Sequence, residues 1–129
     1  MNKKIQISTP NAPSAIGAYS QAIRVDKLIF ISGQIPLNPK TMEVVDGGFD
    51  IQIKQVLLNL KAIVDEAGAN LKQVVKINVY LDDLSNFQSV NEQMKFFFEE
   101  PYPARAAVEV SRLPKDVQIE MDAILFIDN

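Results

Sequence analysis

The strongest constraint on the fold is a run of apolar residues at helical spacing between residues 50 and 67. Residues three and four positions apart share one side of a helix, so this run predicts an amphipathic helix. Asp50 is a favourable N-cap residue, and Gly68 is typical of a helix C-terminus. A helix of this kind needs another apolar surface to pack against. Its apolar side carries Ile53, Val56, Leu57, Leu60, Ile63, Val64 and Ala67.

Six further segments are rich in residues that favour strands. The clearest is residues 74–81, where Val75, Ile77, Val79 and Leu81 alternate onto one face. The turn-prone pair Asp26–Lys27 joins the second and third strands, and residues 33–48 are predicted to form a loop. The six predicted strands are residues 5–7, 21–25, 28–32, 74–81, 105–110 and 118–127.

A second helix is predicted over residues 84–98, ended by Pro101 and Pro103. Its buried side carries Phe87, Val90, Met94, Phe97 and Phe98, and we interpret Met94 and Phe96–Phe98 as core residues.

Two helices with one apolar side each, together with mostly alternating strands, favour an α+β fold. We expect a mixed six-stranded sheet with both helices packed on one face. The other face would then carry an apolar surplus that a lone chain would leave exposed, so we predict an oligomer. That surplus includes Val108, Val110, Ile119 and Ile124.

The 129 residues include no histidine and no cysteine. This composition excludes Ser-His-Asp triads, Cys-His dyads, disulfides and imidazole or thiolate metal sites. A net charge of −3 argues against a general nucleic-acid binder. No apolar run approaches the roughly 20 residues needed to cross a bilayer, and Met1–Ser8 does not resemble a signal peptide. We therefore expect one cytoplasmic domain, residues 1–129, with no metal and no membrane partner.

Two charged residues in the C-terminal strands suggest a site. Arg105 begins the fifth predicted strand, and its guanidinium matches a carboxylate bidentately. Glu120 lies inside the sixth strand, where a carboxylate can steer a water or move a proton. Together they suggest a small site for a carboxylate-bearing molecule that undergoes hydration. The alternative is that both are solvated strand residues.

A series of motifs, running nearly end to end in order and spacing, resembles the RidA (YjgF) family. The resemblance implies a chorismate-mutase-like fold, assembled as a homotrimer with three sites in the clefts between subunits. It also implies cofactor-free hydrolysis of short 2-imino acids (2-iminobutanoate, 2-iminopropanoate) to 2-oxo acids and ammonia. Such imines come from enamines released by PLP-dependent dehydratases. The motifs are Gly17-Ala-Tyr19-Ser-Gln21, Phe30-Ile-Ser32-Gly33-Gln34-Ile-Pro36, Asn91, Pro103-Ala-Arg105, Val108-Glu-Val110, Leu113-Pro-Lys-Asp116 and Ile119-Glu120-Met-Asp-Ala123.

The resemblance implies that Arg105 grips the substrate carboxylate and that Glu120 orients or activates the attacking water. Tyr19 would cap the site from a loop, or else be a half-buried anchor. Ser32 and Gly33 would bring backbone amides close to a ligand oxygen, or else form a plain turn.

Two further positions complete the predicted site. Asn91 would hydrogen-bond across a subunit boundary, or else be an exposed polar residue. Ala107 would contact the substrate only through its backbone, and it replaces a cysteine that many relatives have. Other departures are Ala18 in place of proline and Met94 in place of a frequent tyrosine. Asp122 shares the strand face of Glu120 and would add a second negative charge there.

Two other functions remain open on the sequence alone. One is a regulatory trimer that holds 2-oxo acids without turnover. The other is a ribonuclease or translation inhibitor, which the acidic charge and the lack of histidine weaken. The sequence does not choose among small imino acids.

Overall fold

A computed structural model describes residues 3–128 of the chain. The six strands and two helices follow the predicted order. They are β1 (Lys4–Ile7), β2 (Ala22–Val25), β3 (Leu28–Gln34), α1 (Phe49–Glu66), β4 (Val74–Leu81), α2 (Phe87–Phe97), β5 (Ala104–Glu109) and β6 (Ile119–Phe126).

The strands form one mixed sheet in the order β1-β2-β3-β6-β4-β5. Only β4 and β5 run parallel, and α2 lies in the crossover that joins them. The last strand, β6, is inserted between β3 and β4 and pairs with both in antiparallel fashion. The strands that carry Arg105 and Glu120 are therefore separated only by β4.

Both helices contribute to a single core on one face of the sheet, as predicted. We call this the covered face. Alternate residues of β4 and β6 point into it, including Ile77, Val79 and Met121, all at most 1% exposed. Burying such side chains is worth about 1.5–3 kcal/mol each, which makes this face the main source of stability. Because side chains alternate along a strand, the residues between these buried ones point to the other face of the sheet.

In the described part of the chain no helix covers the other side of the sheet, and we call this side the open face. Phe30 of β3, Phe126 of β6 and Val108 of β5 are 43%, 46% and 47% exposed there. Ile119 was predicted to belong to this apolar surplus, and that prediction is wrong. It is fully buried on the covered face because it pairs with buried Leu81.

The start of α1 differs from the prediction. Its N-cap is Gly48 rather than Asp50, and no side chain caps it. Asp50 lies instead in the first turn, where its charge is favourable to the helix dipole. Gly68 has a φ of +73°, consistent with the predicted end of the helix just before it.

Two other local predictions fail for reasons of strand and helix geometry. A register shift between Val74 and Lys76 buries Val74 and leaves Val75 45% exposed. The second helix is preceded by a 3₁₀ turn at Leu84–Asn86 and ends at Phe97. Phe96 is 89% exposed because it lies on the opposite side of α2 from Val90 and Met94.

Strand β3 extends beyond its predicted end at Ser32. It continues through Gly33 to Gln34, with a register shift against β6 after Ile31. Within residues 3–128, no helix combines the length and apolar character that a bilayer span requires.

Candidate functional site

A cavity of about 460 Å³ lies where β3 and β6 meet the loop before β2. Four of the predicted site residues line it: Tyr19, Ser32, Gly33 and Glu120. Most of its other walls are apolar, including Ile16, Ile35, Leu37 and Pro114. We call it the Glu120 cavity. Such a lining leaves few polar groups to orient a ligand.

Glu120 packs directly against Gly33. A Cβ placed on Gly33 would collide with the Glu120 carboxyl group and lie 2.9 Å from its Cδ. Any other residue here would force the Glu120 carboxyl group to move, because this side chain of β6 occupies the space beside the backbone of β3. Gly33 does not have a positive φ, so the property of glycine that matters here is the absence of a Cβ.

Burial of Glu120 in this cavity raises the pKa of its carboxyl group, and the neighbouring Asp122 charge raises it further. Asp122 lies two residues along the same strand face. It accepts hydrogen bonds from Asn78 Nδ2 (2.8 Å) and the Tyr80 hydroxyl (3.0 Å). The pKa of Tyr80 is raised by burial and by its bond to Asp122, so its hydroxyl stays protonated and keeps donating. Asp122 is thus held in place as a charge beside Glu120.

The loop that carries Tyr19 is anchored by Gln21, which is 3% exposed. The side-chain amide of Gln21 accepts from Thr9 N (2.6 Å) and donates to Thr9 O (3.1 Å) and Pro13 O (2.7 Å). These bonds replace the strand pairing that the irregular loop lacks. Tyr19 itself is half exposed at the cavity wall.

The donors of Ser32 are engaged within the chain. Its amide donates to Gln21 O (2.9 Å) and its hydroxyl donates to Ser20 O (2.5 Å). The prediction that a Ser32 amide faces a ligand therefore does not agree with this geometry. The Ser32 hydroxyl oxygen keeps lone pairs with which it can accept.

A second cavity of about 270 Å³ lies between α2 and β5, and we call it the Arg105 cavity. The guanidinium of Arg105 stacks over the Phe87 ring at 4.6 Å. Its Nη1 donates to Asn91 Oδ1 at 2.6 Å and to Met94 Sδ at 3.6 Å. Within residues 3–128, no carboxylate oxygen lies within salt-bridge distance of Arg105. The guanidinium is held in place by neutral groups.

The two cavities use opposite faces of the sheet. Arg105 pairs with Ile77, so it projects on the covered face beside α2. Glu120 pairs with Tyr80, and both side chains project on the open face. A single chain therefore does not bring Arg105 and Glu120 together. It brings Asn91 to Arg105, and it brings Tyr19, Ser32 and Gly33 to Glu120.

Ala107 belongs to neither cavity. It pairs with Val79 and packs partly buried against the core. The sequence did not reveal three further lining residues. Lys115, whose φ is 56°, lines the Glu120 cavity. Tyr102 and Lys95 line the Arg105 cavity. Lys95 follows Asn91 by four residues, and that helical spacing was the available signal.

Comparison with known proteins places the chain in a family. A family profile described as Endoribonuclease L-PSP matches residues 9–127. A RutC family protein of Pyrococcus abyssi is 56% identical over 120 residues, which cover 93% of this chain and 94% of the relative. The Homo sapiens protein named 2-iminobutanoate/2-iminopropanoate deaminase is 47% identical over 118 residues, covering 92% of this chain and 86% of that one.

Solved structures are equally close. RidA from the Antarctic bacterium Psychrobacter sp. superposes with a TM-score of 0.92 at 49% identity, covering 95% of this chain and 99% of that one. E. coli TdcF with bound serine superposes with a TM-score of 0.91 at 41% identity, covering 97% and 100%. The sequence similarity and the shared fold each extend over nearly the whole chain. The resemblance seen in the sequence motifs is therefore confirmed, and the chain belongs to the RidA (YjgF) family.

Proposed function

We propose that this protein hydrolyses short 2-imino acids, such as 2-iminobutanoate and 2-iminopropanoate, to 2-oxo acids and ammonia. The observation that carries the proposal is its 47% identity, over almost its full length, to a human protein named for that activity. The site geometry supports it independently. Among residues 3–128, the chain offers a guanidinium without a carboxylate partner and a half-buried glutamate whose pKa is raised.

Arg105 binds the substrate carboxylate. Arg105 Nη1 donates to Asn91, and the guanidinium lies over the Phe87 ring. These two contacts fix the plane of the guanidinium. Its remaining N–H groups are directed outward, where they can donate to a carboxylate. E. coli TdcF, which shares this fold, has serine bound, and serine carries the same α-carboxylate. Loss of Arg105 would leave a bound carboxylate unpaired, at a cost of about 3–5 kcal/mol.

Glu120 handles the protons. As the water oxygen bonds to C2 of the protonated imine, the carboxylate takes a proton from the water. The carboxylic acid then returns this proton to nitrogen, so that C2 carries a hydroxyl and an ammonium group. The C2–N bond breaks and ammonia leaves, while the Glu120 carboxylate takes the hydroxyl proton and C2 becomes a carbonyl carbon. Glu120 then releases this proton to the departing ammonia, which leaves as ammonium. A carboxyl group with a raised pKa suits both directions of transfer better than an ordinary glutamate.

The complete site forms between subunits of a homotrimer. Arg105 and Glu120 project from opposite faces in one chain, so a substrate that touches both needs the Arg105 cavity of one protomer and the Glu120 cavity of the next. The exposed apolar residues of the open face supply a surface for such assembly. The chorismate-mutase-like packing, the single domain over residues 1–129 and the cytoplasmic location remain predictions.

The test is release of 2-oxobutanoate from 2-iminobutanoate generated in situ by an amino-acid oxidase. We expect acceleration by the wild type and none by Arg105→Ala or Glu120→Gln. The matched controls are Arg24→Ala and Glu43→Gln, which change the same residue types outside both cavities. No acceleration by the folded wild type would reject the deaminase.

The same experiment separates the two other functions. A wild type that binds 2-oxobutanoate through Arg105 without accelerating hydrolysis would be the regulatory trimer. The description of the family profile names an endoribonuclease, so RNA cleavage is measured alongside. The net charge of −3 weighs against it, and salt-dependent RNA binding would favour it.

A further inference from the structure

The Arg105 cavity contains a second cation. It is lined by Asn91, Met94, Lys95, Tyr102, Pro103 and Arg105, a set with two positive charges and no carboxylate. The proposed carboxylate contact uses only Arg105. Within residues 3–128, Lys95 makes no salt bridge. The positive charge of the cavity therefore exceeds what one substrate carboxylate needs.

Lys95 is placed by the helix. It lies four residues after Asn91 on α2, so the two side chains are neighbours on one side of the helix, with Cβ atoms about 5–6 Å apart. Asn91 in turn contacts Arg105 Nη1 at 2.6 Å. The long flexible stem of lysine lets its ammonium reach a group held near Arg105.

We propose that Lys95 and Arg105 form a two-point anion site, through which the enzyme accepts 2-imino dicarboxylic acids in addition to short monocarboxylic ones. The inference rests on the proposed deaminase function and names a further substrate class for it. Arg105 holds the α-carboxylate, and Lys95 pairs with the carboxylate at the end of the substrate side chain. These two groups are separated by two or three carbons in the four- and five-carbon acids.

The chemistry is otherwise unchanged. Water adds its oxygen to C2, the C2–N bond breaks, ammonia leaves and a 2-oxo dicarboxylate remains. The distal carboxylate keeps its bonds throughout. The supplying reaction is one that forms the C=N bond beside the α-carboxylate of an acidic amino acid, either oxidation of its amine or loss of water from its 3-hydroxy derivative.

The experiment compares kcat/KM for 2-iminoglutarate, generated from glutamate by a glutamate oxidase, with kcat/KM for 2-iminobutanoate. Lys95→Gln removes the charge, and Lys40→Gln, at an exposed loop position outside both cavities, is the matched control. We expect Lys95→Gln to lower the ratio of the two constants about tenfold, the value of one charge-assisted hydrogen bond. Lys95→Glu should lower it further, and Lys40→Gln should leave it unchanged.

An unchanged ratio in Lys95→Gln, or a wild type that hydrolyses 2-iminobutanoate but not 2-iminoglutarate, would overturn the proposal and leave the deaminase intact. Failure of the deaminase itself would appear as no turnover of either imine. In that case calorimetric binding of 2-oxoglutarate against 2-oxobutanoate still tests the two-point site. A preference for 2-oxoglutarate that Lys95→Gln abolishes would support it, and no such preference would refute it.

Discussion

Asp122 is the residue whose effect on Glu120 is most directly testable. Burial and the Asp122 charge both raise the pKa of Glu120, and proton transfer from water needs the deprotonated carboxylate. The kcat/KM profile should therefore fall on the acid side, with its midpoint above the ordinary pKa of glutamate. Asp122→Asn removes the second contribution, so the pKa of Glu120 falls and the acid limb should move to lower pH.

The pH profile separates this electrostatic role from a structural one. The amide that Asp122→Asn introduces still accepts through one oxygen, so the bond from Asn78 or Tyr80 can persist while the charge is gone. Asp46→Asn, in an exposed loop, is the control. An unmoved acid limb in Asp122→Asn, with a normal fold, would show that Asp122 does not tune Glu120.

Gly33 is a second residue with a sharp expectation. Gly33→Ala puts a Cβ where the Glu120 carboxyl group lies, so the carboxyl must move away from the cavity wall. A displacement of about 1 Å in a catalytic group can cost roughly 100-fold in rate, and we expect kcat to fall by about that factor.

Gly48→Ala is the matched substitution, because nothing lies within 4 Å of the Cβ it would add. Gly33→Ala should melt close to the wild type, since the Glu120 side chain can give way without moving the backbone, whereas Gly48→Ala, at the N-cap of α1, should lose some stability and keep its kcat. Equal kcat in Gly33→Ala and wild type would mean that Glu120 reacts from another position.

These residues show what the sequence could and could not predict. Residue types and the family resemblance were enough to predict Arg105, Glu120 and Gly33 as site residues. The close packing of Gly33 against Glu120 joins two positions far apart in the chain, and no local pattern contains it. The hydrogen bonds that Ser32 donates to Ser20 and Gln21 could not be predicted either, because they depend on the conformation of the loop.

At the scale of elements, the loop before β2 depends on one buried side chain. Gln21→Ala would remove the amide that bonds Thr9 and Pro13, leaving buried backbone groups without partners. We expect a loss of about 2–4 kcal/mol in the free energy of unfolding, measured by urea denaturation.

Gln88→Ala, on the exposed side of α2, is the control for this change and should alter stability by less than about 0.5 kcal/mol. A Gln21→Ala protein as stable as the wild type would mean that water replaces the lost bonds and that the loop does not depend on them.

The elements themselves were predictable where their periodicity was long. The apolar side of α1 gave both its position and its orientation, whereas the pattern of β6 gave only its position, since Ile119 faces the core and not the open face. The failures were local. Val75 was predicted to share a face with Ile77, but a register shift against β6 turns Val74 inward instead. Phe96 was predicted to be a core residue from its apolar character alone, which does not decide the side of the helix on which it lies. Pairing and packing decide these details, and neither is local in sequence.

At the scale of the whole molecule, the order of the strands determines where the site can form. The sequence predicted six strands, but not that β6 would lie between β3 and β4. That insertion, with the register of β4 against both neighbours, sends Arg105 and Glu120 to opposite faces. Two residues that looked like partners in the sequence therefore lie apart within one chain, and in the proposed trimer they are the two halves of a shared site.

Complementation between two inactive variants tests this arrangement. Arg105→Ala keeps an intact Glu120 cavity, and Glu120→Gln keeps an intact Arg105 cavity. Each should be inactive alone. When the two are unfolded together in equal amounts and refolded as mixed trimers, a site with both intact halves forms at about a quarter of the interfaces by random assembly. We therefore expect about a quarter of wild-type kcat per chain, measured on 2-iminobutanoate. Each variant refolded alone is the control. If the mixture is as inactive as its components and light scattering gives a trimeric mass, both residues act in the site of one chain. A monomeric mass would show that no site is shared between chains.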